Sequence, residues 1–94
     1  MLTLKELSRK KGRVYIYLED DETCRRFIDE AEREGFTFCD GAAPSSREHS
    51  TFYALNPDLT INFIGFSGRI AYACADKIGN QKLIKYDYKK GCIV

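Results

Sequence analysis

Along residues 13–18 the side chains alternate, with Val14, Ile16 and Leu18 on one parity and Arg13, Tyr15 and Tyr17 on the other. A period of two built from β-branched and aromatic residues predicts a strand with two different faces. The period then changes. Cys24, Phe27, Ile28 and Ala31 fall at i, i+3, i+4 and i+7, which predicts one apolar stripe of a helix over residues 20–34. Asp20 or Asp21 can cap its N-terminus by accepting from the free backbone N–H groups there, and Glu22 adds negative charge at the positive end of the helix dipole. Glu22/Arg26 and Asp29/Arg33 are i,i+4 pairs in the favourable order. Gly35 stands where a positive φ ends a helix, and Phe36 and Phe38 resume the strand alternation. The strand–helix–strand unit of residues 13–41 is the frame for the rest of the chain.

Before it, Thr3 and Glu6 match a capping box, which predicts a short helix over residues 4–10. After it, residues 42–50 are small or polar and predict a contact-making loop. Residues 51–55 read as a strand, Asn56-Pro57-Asp58 as a turn, and residues 60–66 as the returning strand of a hairpin. Ser67-Gly68 reads as another turn and residues 69–72 as a continuing strand. A short helix is expected over residues 73–78, stopping at Gly79-Asn80. Residues 82–88 are the last strand, and the tail after Tyr88 is expected to fray. The order α-β-α-β-β-β-α-β predicts an α+β single domain over residues 1–94. Its sheet would be mainly antiparallel, of four to five strands, with the helices packed on one face. Val14, Ile16 and Leu18 would face those helices. Tyr15 and Tyr17, beside Arg13, would point to the other face.

Composition narrows the classes. The formal net charge is only +1, whereas a protein devoted to neutralising phosphates carries a clear basic excess. No apolar run reaches the roughly 18 residues of a membrane span, and residues 1–6 lack the apolar core of a secretion signal. A cytoplasmic protein is the expectation, with Cys24, Cys39, Cys74 and Cys92 reduced. Their long, unequal gaps lack the close ligand pair of a structural zinc site, and no metal or cofactor is expected.

Candidate chemistry is thin. His49, the single histidine, sits on the 42–50 loop. A thiol site would have to draw on Cys39, with Asp40 orienting His49; Asp40-Gly41 reads more simply as a turn. The acidic run Glu19-Asp20-Asp21-Glu22 lies at a strand-to-helix junction, where side chains diverge instead of converging on a cation. No phosphate-binding glycine loop or metalloprotease motif occurs, so no catalytic residue is expected.

Val14 to Leu18, Thr23 to Gly35, Phe36 to Phe38 and Asp40-Gly41 together resemble small α/β proteins encoded in phages and prophages of Gram-positive bacteria. The closing segments, Ile70-Ala71-Tyr72 and then Lys82 to Asp87, are similar too. The resemblance covers about half the chain; residues 42–66 depart from it. It implies a mobile-element accessory protein without catalytic residues, and some small phage proteins block host defence by binding a protein.

Three functions of different classes follow. The first is a small non-catalytic protein-binding module, a phage accessory or anti-defence inhibitor, meeting a protein partner or a second copy of itself. Arg13, Tyr15, Tyr17 and Lys85 would form its contact surface, because tyrosine and arginine carry interface energy disproportionately. The second is a single-stranded nucleic-acid binder, stacking bases on the sheet tyrosines beside Lys82, Lys85, Lys89 and Lys90. The third is a thiol enzyme resting on Cys39, Asp40 and His49. No membrane partner is expected.

Overall fold

The computed structural model describes residues 2–94. In chain order it contains helix α1 (Leu4–Ser8), strand β1 (Arg13–Tyr17), helix α2 (Asp21–Arg33), strand β2 (Thr37–Phe38), a 3-10 turn (Pro44–Ser46), strands β3 (Phe52–Leu55) and β4 (Thr60–Phe63), helix α3 (Phe66–Cys74), and strands β5 (Lys77–Ile78), β6 (Gln81–Asp87) and β7 (Cys92–Ile93).

The expected frame forms. Asp20 caps α2, its carboxylate accepting from the Thr23 N–H at 2.8 Å. The helix ends through Gly35 at φ 88°: the Gly35 N–H donates to Glu32 O, and the Phe36 N–H reaches back to Ala31 O. Those two bonds satisfy carbonyls that a helix end otherwise leaves open. The stripe Cys24, Phe27, Ile28 and Ala31 is buried and packs in one cluster with Val14, Ile16 and Leu18. The Thr3/Glu6 capping box starts α1, which stops at Ser8 instead of running to residue 10.

The sheet departs from expectation. It is mixed and seven-stranded, in the order β2-β4-β3-β1-β6-β5, with β7 also paired to β6. Strand β1 runs antiparallel to β3 but parallel to β6, and β2 runs parallel to β4. Parallel neighbours need a long connection. Between β1 and β6 it is supplied by everything from α2 to β5, which local periodicity cannot reveal. The tail is not frayed. The Lys90 N–H donates to the Asp87 carboxylate at 3.1 Å and the Gly91 N–H to Asp87 O at 2.8 Å, folding β7 back on β6.

Helices pack on both faces of the sheet, not on one. The segment expected as the end of a strand at Phe66, a turn at Ser67-Gly68 and a strand over residues 69–72 is the helix α3, and the expected helix over residues 73–78 is instead the last turn of α3 followed by β5. Gly68 explains the close approach: a Cβ there would collide with the Ile64 side chain and touch the Tyr15 ring. A glycine that weakens an isolated helix here lets the helix lie directly on the sheet.

Two carboxylates at the end of α2, Glu30 in its last turn and Glu34 at its C-cap, tie down α1. The Lys5 N–H donates to Glu34 Oε1 at 2.8 Å and the Leu4 N–H to Glu34 Oε2 at 3.2 Å, while Glu30 receives the Leu4 N–H at 3.3 Å and the Tyr88 hydroxyl at 2.6 Å. Burial, then hydrogen bonding with Glu34, raises the Glu30 carboxyl. Burial raises Glu34 too, but the hydrogen bonds from Glu30, Lys5 and Leu4 outweigh it and hold Glu34 below its ordinary value of 4.5. The signs are opposite. Glu34 contributes stability that is complete above pH 4.5 and lost as pH falls through its lowered value, whereas protonating Glu30 on the way down relieves a penalty. Glu34→Ala is therefore expected to cost about 1 kcal/mol at pH 7, by losing charge-assisted bonds to helix N–H groups. Glu30→Gln should be neutral or stabilising there. Thermal melts of both variants at pH 7 and pH 3 check this; a Glu30→Gln variant as damaged as Glu34→Ala would show that both charges are needed.

Candidate interaction surfaces

Strand β1 directs Arg13, Tyr15 and Tyr17 away from α2, and its register with β6 sets Tyr15 opposite Lys85 and Tyr17 opposite Asp87. The structure thus brings the four expected contact residues to one face. It also covers part of that face. Tyr15 is only 7 % exposed, buried with Ala54, Ile64 and Leu83 beneath Ala71 and Tyr72 of α3. Tyr17 is half-buried, its ring centroid 5.0 Å from Phe52 and 5.9 Å from Tyr72. The guanidinium of Arg69 lies 5.8 Å from the centre of the Phe52 ring, close enough for a cation–π contact. Burial, then the neighbouring Asp87 and Tyr17, push the Tyr72 hydroxyl up to about 12, and that hydroxyl has no hydrogen-bond partner. Arg13 and Lys85 remain partly exposed.

The cover is itself uncovered. No residue of α3 is fully buried. Phe66 is 80 % exposed and Ile70 49 %, with Phe63 of β4 exposed as well. Phe66, Ile70 and Cys74 fall at i, i+4 and i+8, one outward stripe, and the Cys74 thiol donates to Ile70 O at 3.1 Å. A helix apolar on both sides is buried on both sides or awaits a partner on one. Reading Phe66 as the end of a strand, Ser67-Gly68 as a turn and residues 69–72 as a strand hid this stripe; the 66/70/74 spacing was the available signal.

The residues of the supposed thiol site go elsewhere. Asp40 pairs with Arg47, whose guanidinium sits 4.4 Å over the Phe38 ring. His49 Nδ1 is 2.7 Å from Asp21 Oδ1, not near Asp40 through the loop, and Cys39 is exposed. A small depression near His49 is lined also by Cys24, but burial pushes that thiol up, the reverse of what activates a nucleophile. The acidic run is tied down as well: Lys89 Nζ lies 2.8 Å from Glu19 and 2.7 Å from Asp20. Lys89, then Thr23, hold the Asp20 carboxyl well below the usual carboxylate range.

The lysines separate. Lys82 and Lys85 line a groove with Lys10 and Lys77, while Lys89 faces the acidic run. Among the described residues no cluster of three or more potential metal ligands occurs, and no helix is long and apolar enough to cross a membrane. No known family model, characterised protein or solved structure matches this chain, and its own surfaces are the source of any functional reading.

Proposed function

We propose that this protein is a small, non-catalytic protein-binding module whose contact surface is the outer stripe of α3, Phe66 and Ile70. The observation that carries the reading is Phe66, a large apolar side chain 80 % exposed on a helix with no fully buried residue. Apolar side chains presented at i and i+4 are how a helix engages an apolar groove on another protein. Arg69, held over Phe52 beside this stripe, supplies a charged rim, and a desolvated aromatic ringed by polar groups is the usual anchor of an interface. The partner is a second protein or a second copy of this chain. In the finer reading the module is a phage or prophage accessory that blocks a host defence protein in the cytoplasm, in keeping with the resemblance of its strand–helix–strand frame. Binding of single-stranded nucleic acid by the sheet tyrosines fits less well, because Tyr15 lies beneath α3 and offers no free ring for stacking.

Phe66→Ser is expected to change the unfolding free energy by no more than about 0.5 kcal/mol, as exposed positions do. It should weaken association by about 2 kcal/mol, as loss of an anchor does. Sedimentation equilibrium reads self-association, and capture from a bacterial lysate reads a partner. A Phe66→Ser/Ile70→Ser double variant that associates at wild-type strength would sink the reading, as would folded wild-type protein that neither self-associates nor retains anything.

A further inference from the structure

A second surface lies at the β5/β6 edge. A groove of about 570 Å³ is rimmed by Lys10, Lys77, Lys82 and Lys85 and floored by the exposed side chains of Ile93 and Val94, beside the buried Leu83 and Ile84. A depression of about 470 Å³ adjoins it past Lys11 and Pro57, sharing Lys10 and Lys82. The convergence is built by the backbone. Gly12, at φ 123°, lays the loop bearing Lys10 and Lys11 against the main chain of Lys82, where any Cβ would collide. The β5/β6 register sets Lys77 directly opposite Lys82, a pairing of like charges that disfavours the sheet.

Ion pairing within the described residues does not offset this charge. Among the described residues, none of these five lysines takes part in an ion pair; the pairs gather around α2 and residues 40–49, with Lys89. Asp76 is the single acidic side chain lining either depression. A chain of net charge +1 has thus gathered five cationic side chains against one acidic side chain along one edge, over an aliphatic floor.

Both features constrain the ligand. The lysines ask for anions, and as flexible point charges they do not demand the fork geometry that arginine reads. The floor asks for aliphatic groups. No aromatic ring lines the groove, so it lacks the stacking platforms that hold single-stranded nucleic acid. An extended peptide meets both demands, because its side chains alternate: every second one can point at the floor while the others stay among the lysines. We propose that this groove binds an extended acidic segment of a partner protein, in which carboxylates alternate with aliphatic side chains. The inference rests on the protein-binding class of function but on none of the residues of the α3 stripe.

The test is fluorescence anisotropy at low salt with a labelled peptide of about eight residues alternating Glu and Val, extended at roughly 3.3 Å per residue. Controls replace Glu by Gln, or Val by Ser, and a short oligothymidylate stands for nucleic acid. The Glu/Val peptide should bind, and bind less tightly as salt is raised. Affinity should fall at least about tenfold for either control peptide and for the Lys82→Glu/Lys85→Glu variant, as expected when charge complementarity is reversed. It should be unchanged in Phe66→Ser/Ile70→Ser. Circular dichroism verifies folding, and Lys10→Gln/Lys77→Gln replaces the charge reversal should that variant unfold. The proposal is overturned by no binding at millimolar wild-type protein, by undiminished binding to the lysine variants, or by equal binding of the Glu/Ser peptide. Tighter binding of oligothymidylate would assign the groove to nucleic acid instead. Loss of peptide binding in the Phe66→Ser/Ile70→Ser variant alone would move the peptide to α3 and leave the groove without a role.

Discussion

Phe27→Ala is expected to lower the unfolding free energy by about 3–5 kcal/mol, the range for truncating a fully buried phenylalanine. Phe27 is 0 % exposed and stands in the middle of the α2 stripe. Its ring lies 5.2 Å from that of Tyr53 and 5.6 Å, edge-on, from that of Tyr88. Removing it deletes apolar burial and two aromatic contacts, and it leaves a hole that neighbours on a sheet and a capped helix can collapse into only in part. The loss is also felt at a distance, because the Tyr88 hydroxyl that packs here holds Glu30, and Glu30 helps to seat α1. Urea titration followed by circular dichroism reads the effect as a lower midpoint at unchanged slope. Exposed Phe66 is the internal comparison: equal costs for the two truncations would mean that the apolar side of α2 is not the core.

How far this arrangement could be read from the sequence depends on how local its cause is. The α2 unit was legible because each of its parts acts within one or two turns: Asp20 on the Thr23 N–H, the 24/27/28/31 stripe on the sheet, Gly35 on the last carbonyls. The β1 alternation was legible for the same reason and placed Tyr15 and Tyr17 on the face opposite α2. What covers that face was not legible. The cover is α3, whose first turn reads Phe66-Ser67-Gly68, poor helix formers that form a helix because Gly68 permits contact with Tyr15 and Ile64. Strand pairing was hidden in the same way. The alternation of Leu83 to Tyr88 announces a strand but not that it runs parallel to β1, since the partner of a strand is set across the whole connection. At the surfaces, the sequence sets Lys85 among the contact residues with the tyrosines, yet the structure places it on the rim of a groove with Lys10 and Lys77, which no spacing in the chain connects. His49 met Asp21 instead of Asp40 because the 42–50 loop returns to the N-terminus of α2.

Gly12→Ala shows how one non-local contact can govern both stability and the groove. Gly12 is at φ 123°, in a region that side chains rarely enter, at a cost on the order of 1–3 kcal/mol. It also has no room: a Cβ would overlap the Lys82 carbonyl oxygen, a backbone atom that cannot rotate aside. Relief requires the loop entering β1 to move away from β6 at the edge where Arg13 pairs with Leu83. The expected loss is about 2–4 kcal/mol, backbone strain plus the displacement of packed chain. Gly35→Ala separates the two contributions. Gly35 is also at positive φ, 88°, but nothing lies within 4 Å of where its Cβ would stand. Conformation alone should make Gly35→Ala cost about 1 kcal/mol. Chemical denaturation of the two variants side by side measures the difference. If Gly12→Ala proves no worse than Gly35→Ala, the contact with Lys82 does not fix the loop. If it proves worse, it should also loosen the acidic-peptide groove in whatever fraction remains folded, because Lys10 and Lys11 then leave the side of Lys82.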